Sequence, residues 1–299
     1  MHAGTLTAVA AVKYCYRHPD RETGLSCSEC DRPICVDCMT VAPVGIRCPE
    51  HAGGAPRPKV TAQRAVRTAR YQVREGVSIV TKVLVAINVL VYLVELGEGA
   101  GVNATSGWIF DHFSLVARAQ YADGTLAGVA HGEWWRLITA AFLHYGPIHL
   151  GMNMLALWWL GGPVEMVLGR TRFILLYLAS GLAGSAGALV WSPNAITVGA
   201  SGAIFGMLGA GLILEYRATG SLAGNYLTLI IINLAFTLGF AGNISVGGHV
   251  GGLIAGILGT LVIVNVGRAY RQLDPAVVGL VALGALSVVI AYWKVRGLA

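Results

Sequence analysis

Beyond Cys48 the chain contains no cysteine, and charged side chains make up only 12% of its 299 residues. The first absence confines any disulfide framework or thiolate metal site to a short N-terminal head. The second, set against 55% apolar residues, is a balance suited to lipid rather than to a water-exposed surface. Two further absences narrow the chemistry. No H-E-x-x-H occurs, which excludes the helix-borne metalloprotease pattern, and no aspartate falls inside an apolar run, which excludes a membrane-embedded pair of catalytic aspartates. The formal charge of +6 does not make a nucleic-acid surface, because 12 of the 21 Lys and Arg residues precede Val83. Arg57, Lys59, Arg64, Arg67, Arg70, Arg74 and Lys82 stand just before the first long apolar segment, where a cytoplasmic, positive-inside flank belongs.

What is present is a polar head and an apolar body. Apolar runs at 78–96, 149–164, 171–191, 201–214, 225–241, 246–266 and 276–293 predict seven transmembrane helices, three of them short. With the N-terminus inside, the cytoplasmic loops carry Arg170 and Arg172, then Arg217, then Arg268 and Arg271, while the outer loops near Ser192 and Asn243 carry no Lys or Arg. This predicts a multi-pass protein of the cell membrane with a cytoplasmic N-terminus and an extracytoplasmic C-terminus. Leu6–Val12 is too short for a signal peptide, so the head is expected in the cytoplasm. The predicted organisation is a metal-binding head over 1–53, a basic linker over 54–77, a membrane domain over 78–293 and a tail over 294–299. The connection 97–148, with Trp108, Trp134, Trp135, Phe110 and Phe113, is long, external and partly interfacial in character.

The run 201–214 spans roughly 21 Å as a helix against a hydrocarbon core of about 30 Å, which would set its first residue, Ser201, below the outer surface. A loop at that depth must line a protein or water cavity. In Gly199-Ala200-Ser201-Gly202 the serine opens a helix, where free amides can stabilise an oxyanion. Taken alone, this small-residue sequence reads equally as a packing surface, continued by Gly206 and Ala210. His249 is the ionisable residue of the sixth run, and Gly248, Gly252 and Gly256 strip one face of that helix so that it can press on Gly202, Gly206 and Ala210. A close crossing would bring His249 within hydrogen-bonding range of Ser201, and an apolar site favours the neutral imidazole that a general base requires. His149 and Asn153, at i and i+4, share a helical face and could donate to one oxygen or knit helices together. His144 precedes them in the loop and reads as structural.

Trp135-Arg136, His144 followed by His149-Leu-Gly-Met-Asn153, Gly199-Ala-Ser201-Gly202 and Gly248-His249-Val-Gly-Gly252 resemble the rhomboid proteases in order and spacing over residues 78–266. The resemblance implies an all-α polytopic membrane protein with the six-plus-one helix arrangement. It implies a Ser201–His249 dyad without a carboxylate, an oxyanion hole from His149, Asn153 and the Ser201 amide, and Phe205 packed on the histidine. The implied activity is endoproteolysis of transmembrane segments of membrane proteins within the bilayer, with no cofactor for catalysis. The competing reading is a catalytically silent rhomboid-like protein that binds membrane clients.

The head reads Cys15-x-x-His18, Cys27-x-x-Cys30, Cys35-x-x-Cys38 and Cys48-x-x-His51. Four ligand pairs at this spacing fill two tetrahedral zinc sites of three thiolates and one imidazole, with either sequential or interleaved pairing. The short gap from Cys30 to Cys35 favours interleaving, and the pattern resembles B-box-type zinc fingers over residues 13–53. Closed sites of this kind are structural, and the head is expected to engage a cytoplasmic protein partner or substrate, or to regulate the enzyme.

Overall fold

The computed structural model describes residues 13–41, 46–52, 78–98, 106–242, 244–266 and 274–298. The expected linker 54–77, with its arginines and Lys59, lies outside the described residues, as do Arg268 and Arg271. The chain forms two compact units, residues 1–76 and 77–299.

The first unit carries two small antiparallel ribbons, β1 (Tyr14–Cys15) with β2 (His18–Glu22), and β3 (Thr40–Val41) with β4 (Ile46–Arg47). Among its described residues the buried ones are five of the cysteines and Ile34, so the described interior is made of sulfur rather than of aliphatic side chains.

The second unit is helical. Helix α1 (Ile79–Gly97) is followed by a connecting segment containing α2 (Trp108–Phe113), a hairpin of β5 (Ala119–Gln120) and β6 (Leu126–Ala127), and the single turn α3 (Arg136–Thr139). Six long helices follow: α4 (Pro147–Leu168), α5 (Arg170–Trp191), α6 (Ser201–Thr219), α7 (Asn225–Gly239), α8 (Val246–Asn265) and α9 (Pro275–Val295). Seven long helices among the described residues match the seven apolar runs. Helices α1, α5, α8 and α9 are long and apolar enough to cross a membrane, and α7 is a shorter apolar helix. The protein is therefore polytopic and all-α in its membrane unit, with β structure limited to two-residue and five-residue strands.

Local chemistry sets the helix limits. Pro147 and Pro275 occupy first-turn positions of α4 and α9, where a missing N–H costs nothing. Ser245 caps α8 through Gly248 N–H, and Asp274 caps α9 through Ala276 N–H. Helix α6 differs from expectation: it continues five residues beyond Leu214 and ends where Gly220 turns left-handed at φ 75° and its N–H returns to Tyr216 O. At about 1.5 Å per residue its 19 residues reach roughly 28 Å, so the helix as a whole is not short, and its added last turn is the polar Glu215–Thr219.

Two carboxylates at the ends of apolar runs act as caps for a neighbouring helix. Glu165 of α4, buried, accepts from Val80 N–H, Thr81 N–H and Thr81 Oγ1 at the start of α1. Glu215 at the end of α6 accepts from Asn225 N–H and Tyr226 N–H at the start of α7. Each satisfies amides that the first turn of a helix leaves without partners. The main core lies where α4, α5 and α6 meet, around Leu157, Phe173, Leu176, Ala203 and Met207. The connecting segment has its own core of Leu115, Ala117, Val129 and Leu137 packed on Ala186 and Leu189 of α5 and Ala291 of α9.

Candidate functional site

The site begins in the crossing of α6 and α8. A Cβ built on Gly252 would fall 1.9 Å from Gly202 O, and one on Gly256 would fall 2.0 Å from Gly206 O. Only glycine lets the two backbones approach this closely. A second stripe, which sequence reading missed, seats the same helix on α5: a Cβ on Gly247 would meet Gly187 O at 2.1 Å, and one on Gly251 would meet Ala183 O at 2.3 Å. Helix α8 is thus clamped by backbone on two sides.

Between the clamped helices, Ser201 Oγ lies 2.9 Å from His249 Nε2. The imidazole is held from both sides. Phe205, one turn along α6, stacks on it with ring centroids 4.0 Å apart and planes 17° from parallel, and Thr237 Oγ1 of α7 lies 2.7 Å from Nδ1. His249 and Phe205 are buried, and Thr237 is 1% exposed. Thr237 is the further site residue that sequence reading missed; its signal was a hydroxyl seven positions after Ile230, the other buried residue of α7.

The loop before Ser201 is lined by protein. Thr197 pairs with Leu115 of the connecting segment through two backbone hydrogen bonds of 2.9 and 3.0 Å, and Gly199 N–H donates to Ala140 O at 2.8 Å. Gly199 has φ 118°, and a side chain there would strike His149, whose Cε1 and Nε2 lie 2.7 and 2.9 Å from the Cβ position. Asn153 Nδ2 lies 3.9 Å from the same position and gives a hydrogen bond to His149 O. His149 Nδ1 accepts from Tyr145 N–H at 3.2 Å, which leaves the hydrogen on Nε2, the atom facing Gly199. No side chain caps the start of α6. Two side-chain donors and a helix N-terminus therefore converge beside the serine.

The remaining residues singled out in the sequence lie farther back. His144 is fully buried, its ring centroid 5.1 Å from that of His149. Arg136, also fully buried, donates to Glu133, to Ser114 O and to Tyr121 Oη, and pins the connecting segment. Trp135 is exposed and donates through Nε1 to His112 O. In the head, Cys15, His18, Cys35 and Cys38 form one cluster, and Cys27, Cys30, Cys48 and His51 the other, with all ligand atoms of a cluster within 4.8 Å of one another. The pairs interleave. Contacts of 3.3 Å (His18 Nδ1 to Cys35 Sγ), 3.4 Å (His18 Nδ1 to Cys38 Sγ) and 3.7 Å (Cys30 Sγ to Cys48 Sγ) approach the edges of about 3.5–3.8 Å of a tetrahedron around zinc. The Cys30–Cys48 separation is far too long for an S–S bond, and all six cysteines are free. Both clusters could hold a metal ion.

A polytopic helical protein with a part-buried serine hydrogen-bonded to a buried histidine beside converging donors defines a class, and comparison with known proteins supplies the family. Residues 131–266 match the Rhomboid domain family. The chain is 39% identical to rhomboid protease GluP of Bacillus subtilis (strain 168) over 206 residues, 66% of this chain and 37% of that protein. It is 38% identical over 160 residues to the rhomboid YdcA of the same organism, covering 50% of this chain and 79% of YdcA. It is 37% identical over 131 residues to RHOMBOID-like protein 4 of Arabidopsis thaliana, covering 42% of this chain and 33% of that one. The chain belongs to the rhomboid family.

Proposed function

We propose that this rhomboid is an intramembrane serine endopeptidase that cleaves transmembrane segments of membrane proteins through Ser201 and His249. The observation that carries the reading is the 2.9 Å contact between Ser201 Oγ and His249 Nε2 inside an apolar crossing. Ser201 Oγ attacks the scissile carbonyl carbon as its proton passes to His249 Nε2, forming the O–C bond and a tetrahedral oxyanion. The oxyanion takes hydrogen bonds from His149 Nε2–H, Asn153 Nδ2–H and the Ser201 amide. The C–N bond then breaks as His249 returns the proton to the leaving amine. Water repeats the sequence on the acyl-enzyme, giving its proton to His249 and releasing Ser201.

The distribution of arginine supports a cytoplasmic N-terminus and an extracytoplasmic C-terminus. The two clusters of the head would each hold a structural zinc ion, closed to substrate and separate from the proteolytic chemistry, and the head would engage a cytoplasmic partner or regulate the enzyme. The test is cleavage of a model transmembrane substrate by protein reconstituted in lipid. Wild type is expected to cleave, and Ser201→Ala and His249→Ala are expected to be inactive while folded. A wild type that binds such substrates without cutting them would establish the client-binding reading instead.

A further inference from the structure

We infer that Thr237 is a positioning residue that fixes the tautomer of His249, so that the site is a relay of three side chains on three helices. The inference rests on the proteolytic reading above and assigns to α7 a part in it.

The argument is a count of hydrogens. Thr237 Oγ1 carries one, and it has two partners at 2.7 Å: the backbone oxygen of Asn233, one turn earlier in α7, and His249 Nδ1. A carbonyl oxygen can only accept, so the Asn233 contact is a hydrogen bond only with Thr237 as donor. Threonine in a helix makes this bond to the i−4 carbonyl readily. With its hydrogen committed there, Oγ1 can only accept from His249, and Nδ1 must carry the proton. The other nitrogen, Nε2, then presents its lone pair to Ser201 Oγ, the form a general base needs. The opposite tautomer would leave no hydrogen in the Nδ1 contact, or would strand Asn233 O if the hydroxyl turned toward the ring. Where no carboxylate among the described residues partners the imidazole, a hydroxyl whose own hydrogen is anchored does what a carboxylate does in a triad: it orients the ring, and it accepts from the imidazolium formed during turnover.

The burial of α7 fits this role. Among its described residues only Ile230 and Thr237 are buried, and Leu229, Ile231, Ile232, Phe236 and Leu238 are exposed apolar side chains. The helix spends its outer inward-facing position on a hydroxyl, where aliphatic packing would otherwise be expected.

The experiment combines kinetics with a direct view of the ring. Full-length protein labelled with 15N-histidine and held in lipid bilayers is compared by solid-state NMR with His249→Gln to find the His249 signals. Wild type is expected to show a protonated, pyrrole-type Nδ1 and an unprotonated, pyridine-type Nε2; an unprotonated Nδ1 overturns the inference without any variant at Thr237. Thr237→Val, close in shape, should lower kcat for a transmembrane substrate about ten- to a hundredfold, the loss of one charge-assisted hydrogen bond, with KM unchanged. Its ring signals should become a mixture of tautomers. Thr237→Ser should restore both quantities, which a packing role for the methyl group would not predict. Cleavage that survives Ser201→Ala sinks the proteolytic reading itself. Cleavage lost in Ser201→Ala but unchanged in folded Thr237→Val sinks only the role of Thr237.

Discussion

Arg136 shows how one charge is kept in a region with few. Its guanidinium is fully buried, and Glu133, 14% exposed, is its counterion, with Nε donating to Glu133 Oε2 at 2.7 Å. Burial raises the Glu133 carboxyl, but the Gly128 N–H, Arg136 and Tyr121 bonds outweigh it and hold the group below its ordinary value. A depressed folded-state value means that the carboxylate contributes stability above its unfolded pKa and loses it as pH falls through the folded one. Glu133→Gln leaves a buried cation unpaired and is expected to cost about 3 kcal/mol. Thermal unfolding of the reconstituted protein at neutral pH should show a clearly lowered midpoint in the variant, and the gap from wild type should narrow in acid. An unchanged midpoint would mean that Arg136 finds enough partners in Ser114 O and Tyr121.

At the scale of helices, the decisive contacts are made by backbone. Gly252→Ala sets a methyl 1.9 Å from Gly202 O, which no rotamer can relieve, so α6 and α8 must separate and Ser201 must leave His249. The expected result is a loss of turnover out of proportion to a destabilisation of about 1–3 kcal/mol. Gly239→Ala on α7, where a Cβ would meet nothing within 4 Å, is the control and should cleave normally. Much of this geometry was legible in the sequence, because a four-residue glycine repeat on one helix and small residues opening another leave few ways to pack. Seven apolar runs likewise gave the seven long helices. The stripe Gly247 and Gly251 was not legible, since nothing in a single sequence says that the helix is gripped from two sides. Glu165 and Glu215, each one residue past an apolar run, were missed for a related reason: nothing in a single sequence says which helix start such a carboxylate lies beside. The end of α6 was misread because Glu215, Tyr216 and Arg217 end the apolar pattern but not the helix, which stops at Gly220.

The whole molecule joins two units that solve the problem of a small interior differently. The membrane unit buries leucine, alanine and glycine, whereas the head has Ile34 and a set of thiols, too little apolar surface to fold unaided. Purified protein is expected to contain about two zinc ions per chain, and chelation should unfold the head while leaving the helical signal of the membrane unit intact. Metal content near zero in folded protein would overturn this. The ligand pairing also governs how the ions load. Each cluster draws one pair from either side of the other's ligands, so neither half of the head can be cut out as an independent finger. The first ion to bind closes the loop that carries half of the second set, and the second binds a chain already shortened by the first. A zinc titration of apo-protein should accordingly be sigmoidal, with empty and fully loaded heads abundant and singly loaded ones scarce.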